Sequence, residues 1–174
     1  MAQFTTGSNC IDSHIGGGIN PGSITLIYGE PETGKSTLAM QCAMNCALQG
    51  FKVLYVDCDN TFSAKRLSQL AGLHFDEVAE RIILVKPKDF NEQIALIDHI
   101  QDYTVNVGLV IIDTFTSLYG AKVCESPRKS FTVNRELNRQ LAILAQSVKT
   151  RKIPVIITSQ VRCAISEQSS SIRP

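Results

Sequence analysis

Five apolar runs of strand length recur along the chain, at residues 24–28 (ITLIY), 53–56 (VLYV), 82–85 (IILV), 109–112 (LVII) and 155–158 (VIIT). Each is continuously apolar rather than alternating, the pattern of strands buried on both faces. Segments with helical spacing lie between them. Residues 35–49 end at Gly50, a candidate C-cap, and 63–71 begin at Ser63, a candidate N-cap. Residues 91–103 form a third helical segment, and 133–150 place Leu137, Leu141, Leu144 and Val148 on one face. Strands alternating with helices predict an α/β fold, with right-handed crossovers and a parallel sheet carrying helices on both faces. Ligands of such sheets bind at the carboxyl ends of the strands.

The 174 residues, 44% hydrophobic, suffice for one sizeable core, so 1–174 reads as a single domain. A formal net charge of +1 gives no whole-molecule field to steer nucleic acid. Any basic contact surface must be local, and Lys65, Arg66 and the stretch Arg128 to Arg139 are the candidates. The N-terminal MAQFTTGSNC lacks a basic-then-apolar signal pattern, and no apolar stretch reaches the ~20 residues that span a bilayer. The expected setting is cytoplasmic, away from membranes. Six cysteines, at 10, 42, 46, 58, 124 and 163, form no CxxC pair and no His-flanked cluster, so buried thiols are expected. The polar C-terminal SEQSSSIRP reads as a mobile tail.

Chemistry enters with GEPETGKS, Gly29 to Ser36, which fits GxxxxGK[ST] and stands between a strand pattern and a helix pattern. Gly29 and Gly34 permit a loop tight enough for backbone N–H groups to converge on a phosphate, and the helix N-terminus adds partial positive charge. The nucleotide-binding set is therefore Gly29, Glu30, Pro31, Glu32, Thr33, Gly34, Lys35, Ser36 and Thr37. Lys35 would reach the β- and γ-phosphates, and the Ser36 hydroxyl would ligate Mg²⁺. LVIID ends on Asp113. A carboxylate there can be a turn cap, but beside a phosphate loop it fits the acid that holds the magnesium shell. The run VLYVDCDN ends instead on two carboxylates, Asp57 and Asp59.

Taken together, FTTGSNCIDSHIGGGINPGSITLIYGEPETGKS, YVDCDNTFSAKRL, LVIIDTFTSLY, NRELNRQLAILAQ and IPVIITSQVR resemble the core of RecA/RadA recombinases, particularly the archaeal RadB-like paralogue branch. The likeness covers nearly the whole chain. It implies a RecA-like P-loop NTPase fold with a parallel sheet mixed at its edge, and ATP with Mg²⁺ as cofactors. Asp59 occupies the place of the family glutamate that polarises the attacking water, but is one methylene, about 1.5 Å, shorter. Misplacement by about 1 Å can cost roughly a hundredfold in rate, so slow turnover is expected. Asp57 reads as structural, accepting backbone hydrogen bonds. Gln160 matches the γ-phosphate-sensing glutamine, giving a catalytic set of Asp59, Lys35 and Gln160. Arg66 matches an arginine that packs near adenine.

The resemblance also implies two loops facing single-stranded DNA. The first corresponds to about residues 120–130, with Lys122, Arg128, Lys129 and Arg135 as phosphate contacts. The second begins at Val161 and Arg162, within a mobile segment 161–174. Set against the family pattern, the chain is expected to be an ATPase core that lacks the N-terminal domain of filament-forming recombinases and the final core strands. It is thus expected to be a paralogue whose partner is a recombinase or paralogue subunit, with homo-oligomers as another possibility and a raw sheet edge beside the nucleotide site. Two other readings stay open. A KaiC-like regulatory ATPase or kinase shares the GGGINPGS lead-in, although its paired acids differ from the spaced DCD. An ATP-gated adaptor would bind nucleotide without hydrolysing it.

Overall fold

A computed structural model describes residues 3–161. In chain order the elements are α1 (Asn9–His14), β1 (Ile24–Gly29), α2 (Lys35–Leu48), β2 (Lys52–Asp57), α3 (Ala64–Ala71), α4 (Phe75–Arg81) and β3 (Ile82–Val85). They are followed by α5 (Phe90–Asp98), α6 (Ile100–Tyr103), β4 (Val107–Asp113), α7 (Ser117–Glu125), α8 (Ser130–Arg151) and β5 (Val155–Gln160). The strands form one sheet in the order β1-β5-β4-β2-β3, and every pairing in it is parallel. The antiparallel pairing is an isolated bridge between Phe4 and Ile19. No described helix is long and apolar enough to cross a membrane.

Successive strand residues point to opposite faces, and the two faces build separate cores. Leu54, Val56, Val110, Ile112, Val155 and Ile157 pack with Leu96 and Ile97 of α5 and Leu137, Leu144 and Val148 of α8. Val53, Tyr55, Leu109, Ile111 and Ile156 pack with Ala39, Met40, Ala43 and Cys46 of α2. The small side chains of α2 let that helix lie close to the sheet. The lead-in folds over this second core: Phe4 and Ile19 are buried in it. Gly18, at φ 134°, backs against the Phe4 carbonyl so closely that any Cβ would collide with it, which explains a glycine there.

Burial on both faces holds for β4 and, beyond Lys52, for β2, but not for the edges. In β1, Ile24, Leu26 and Tyr28 are 37%, 55% and 70% exposed, and in β3 Ile83 and Leu84 are also exposed. An apolar run does not encode position in the sheet. β1 has β5 on one side and, among the described residues, no strand on the other.

Helix boundaries follow local chemistry. Ser63 accepts a hydrogen bond from the Arg66 amide and starts α3, and Gly50 at φ 88° follows the end of α2. The 91–103 segment divides at His99 into α5 and α6. On α8, Leu137, Leu144 and Val148 are buried, while Leu141 lies at the rim. The expected loop at 120–130 is largely helical instead: α7 runs to Glu125, a 3₁₀ turn spans Pro127–Lys129, and α8 begins at Ser130. The reason is tertiary. Leu118, Tyr119 and Val123 dock on the α5/α8 core, with the Tyr119 ring edge-on to Phe90 at 6.1 Å.

Candidate nucleotide site

Gly29 closes β1, and Gly34 at φ 88° turns the chain into α2. Lys35 is buried, and its ammonium donates to the Glu30 carbonyl, with Thr33 Oγ1 3.4 Å away. Glu30, Pro31, Glu32 and Thr33 are exposed around the loop, and Glu32 holds a left-handed backbone at φ 63°. Thr33, Gly34, Lys35 and Thr37 line an open cleft of about 650 Å³ with Gly29 and Gln41.

Asp113, 1% exposed, ends β4 beside the start of α2. Its Oδ1 accepts from Ser36 Oγ at 3.1 Å and from the Thr158 hydroxyl, and its Oδ2 accepts from the Tyr55 hydroxyl at 2.8 Å. Burial, followed by the neighbouring Asp113 charge, pushes the Tyr55 phenol well above its ordinary range, so it remains a donor; the Arg66 charge opposes the rise. Arg66 is exposed on the first turn of α3 and lines neither cleft described for this site.

The two aspartates of DCD part company. Asp57 is buried and accepts from the amides of Thr61 and Phe62 at 3.0 Å each, with Lys86 Nζ 3.4 Å away. It holds the turn that follows β2. Asp59 is half-buried on that turn and lines a cleft of about 360 Å³ with Thr114, Thr116, Tyr119, Cys124 and Gln160. Gln160 ends β5 in register with Gly29, so Asp59 and Gln160 share one cleft next to the phosphate loop. Cys58 between the aspartates is buried, and its thiol is pushed far up, first by burial and then by the charges of Asp59 and Asp57. Burial likewise raises Cys42 and Cys46 to about 12, which marks them as inert core thiols.

The basic candidates scatter more. Lys122 lies on α7 and pairs with Glu125 at 3.2 Å. Arg128 and Lys129 stand exposed on the 3₁₀ turn, and Arg135 is exposed on α8 beyond Phe131, itself 79% exposed. Arg139 is held by Asp98 and Glu136. Arg162 lies outside the described residues.

Sequence reasoning missed Tyr55 and Thr158, the side chains that grip Asp113. A signal existed for the first: a tyrosine inside a buried apolar strand needs a partner for its hydroxyl.

A parallel sheet with a phosphate loop after β1 and a buried acid at the end of β4 defines a RecA-like α/β core. The Rad51 family pattern matches residues 1–174, and the chain belongs to the Rad51 family. It is similar to the "DNA repair and recombination protein RadB" of Thermococcus kodakarensis, 41% identical over 91% of this chain and 70% of the relative. The protein so described from Methanococcoides burtonii is 34% identical over 99% of this chain and 75% of its own length. Among solved structures, that of a RadB recombinase covers 97% of this chain and 74% of its own, at 37% identity and a TM-score of 0.78.

Proposed function

We propose that the protein binds Mg·ATP at Gly29–Ser36, hydrolyses it slowly, and acts on single-stranded DNA in recombination and repair together with a recombinase or paralogue subunit. The observation that carries this reading is the meeting of Ser36 and Asp113, 77 residues apart, at 3.1 Å beside the phosphate loop. A hydroxyl and a carboxylate are hard oxygen donors of the kind Mg²⁺ takes alongside phosphate oxygens and water. The Rad51 and RecA families are ATPase families, and the similar RadB proteins carry recombination and repair in their description.

Each residue then has a defined task. Backbone N–H groups of the loop and the N-terminus of α2 orient the phosphates. Lys35, released from the Glu30 carbonyl, places its charge on the β- and γ-phosphate oxygens. Ser36 and Asp113 hold the magnesium ion, which when bound neutralises charge on the phosphates. Asp59 orients a water and draws on its proton, and its short reach limits the rate. Gln160, beside Gly29 and at the start of the segment from Val161, relays the state of the γ-phosphate.

The test is Mg²⁺-dependent ATP turnover with and without single-stranded DNA, for wild type and for Lys35→Ala, Asp59→Asn and Asp59→Glu. Turnover should fall at least about a hundredfold in the first two variants and rise in Asp59→Glu. ATP binding with no turnover in any protein except Asp59→Glu would make this a nucleotide-gated adaptor. Transfer of the γ-phosphate onto the protein would mark a KaiC-like kinase.

A further inference from the structure

Tyr55 pairs with Ile111 across β2 and β4, and Asp113 lies two residues beyond Ile111. Tyr55, Ile111 and Asp113 therefore share the face of the sheet that α2 covers, and the phenol spans the diagonal to the carboxylate. Its hydroxyl supplies the hydrogen bond at Asp113 Oδ2, at 2.8 Å, while Oδ1 is shared by Ser36 and Thr158. The Tyr55 ring is fully buried and held edge-on by Phe62, with centroids 5.0 Å apart at 70°. Phe62 is in turn fixed by the hydrogen bond that its backbone N–H donates to the Asp57 carboxylate, in the turn that carries Asp59. A continuous brace thus runs from the Asp59 turn through Phe62 and Tyr55 to Asp113 and Ser36.

We infer that Tyr55 is a positioning residue: it fixes the rotation of the Asp113 carboxylate so that Oδ1 faces Ser36, and through Phe62 it ties that orientation to the turn bearing Asp59. Without the hydroxyl, Oδ2 would stay buried with its donor gone, and the carboxylate would turn to find another. Phosphate contacts from the loop backbone and Lys35 would be untouched. This inference rests on the Mg·ATP reading of the site.

The experiment is ATP binding to the protein by titration calorimetry, across a magnesium series and in EDTA. Tyr55→Phe should raise the Mg²⁺ concentration giving half of the magnesium-dependent tightening by about tenfold, the size of one hydrogen bond to a charged group. Affinity in EDTA should not change. Phe62→Leu keeps the hydroxyl but frees the ring, and should shift the same midpoint about threefold. On an Asp113→Asn background, Tyr55→Phe should add nothing further. An unchanged magnesium midpoint in Tyr55→Phe, or an equal loss of affinity in EDTA and in magnesium, would overturn the inference. If Tyr55→Phe does not fold, Phe62→Leu decides between the same two outcomes. A wild-type protein whose ATP binding ignores magnesium would instead overturn the site reading beneath it.

Discussion

At the carboxyl ends of β2 and β4, Asp57 and Asp113 are buried and both oxygens of each carboxylate accept hydrogen bonds. On and beyond the turn before α8, Arg128, Lys129 and Arg135 stand exposed, with no side-chain hydrogen bond or ion pair among the described residues. The contrast suits the two kinds of ligand proposed above. A phosphate chain in a catalytic pose needs groups fixed to within a fraction of an ångström. A polynucleotide backbone needs only mobile positive charge, because displaced counterions supply most of the binding free energy whatever the side-chain geometry. Arg139 sharpens the point: it neighbours the same region, yet Asp98 and Glu136 hold it, and those hydrogen bonds raise its guanidinium further above an already high range. It belongs to the scaffold.

The largest effect should come from testing the held side. Asp57→Ala removes the acceptor for two backbone amides and leaves Lys86 without its buried partner. Orphaning such donors costs about 1–3 kcal/mol each, so the loss should be near 3 kcal/mol, or roughly 10 °C in Tm for a chain of this size. Asp59→Ala, on the same turn and without those bonds, should change stability by less than about 0.5 kcal/mol. Thermal unfolding of the two variants side by side checks this. Equal Tm values would erase the division of labour between the aspartates.

A smaller and opposite pattern is expected on the basic face. Replacing Arg128, Lys129 and Arg135 together by alanine should leave Tm nearly unchanged and weaken single-stranded DNA binding by at least about tenfold. If all three meet phosphates, the slope of log affinity against log salt should flatten by about 2, at roughly 0.7 per contact. Fluorescence anisotropy of an oligothymidylate across a salt series gives both numbers. Arg139→Ala should do the reverse, lowering stability while changing the salt slope little.

The same contrast explains what was legible in the sequence. The phosphate loop is eight consecutive residues between two periodic patterns, so its elements could be read locally. Asp113 could be read because a buried strand ended on it. Its grip by Tyr55 and Thr158 could not, since those residues lie 58 and 45 positions away and meet it only through strand order and register. The apolar runs themselves did not show edge position, since nothing local separates Ile24–Tyr28 from Val53–Val56, yet among the described residues β1 lies outermost and β2 inside. The raw edge beside the nucleotide site was implied by the family resemblance alone. Helix α7 was masked because its core contacts, Leu118, Tyr119 and Val123, occupy little more than one turn before a polar stretch.

Glu32 offers the finest test, because it is the least settled residue of the held side. It is exposed on the phosphate loop in a left-handed conformation, φ 63°, which costs a non-glycine residue about 1–2 kcal/mol. Glycine would relieve that strain but adds about 0.5–1 kcal/mol of unfolded-chain entropy, so Glu32→Gly should stabilise by under about 1 kcal/mol. Charge is a separate effect. A carboxylate near the bound phosphates opposes them by about 1 kcal/mol in water-like surroundings. Glu32→Gly and Glu32→Gln should therefore tighten ATP binding by a similar factor, about threefold to tenfold, while only the glycine variant raises Tm. Calorimetry and thermal unfolding on the same two variants separate charge from strain. A loss of ATP affinity in both would show that the Glu32 carboxylate serves the bound nucleotide instead of opposing it, and would give its side chain a role among the groups that hold the phosphates.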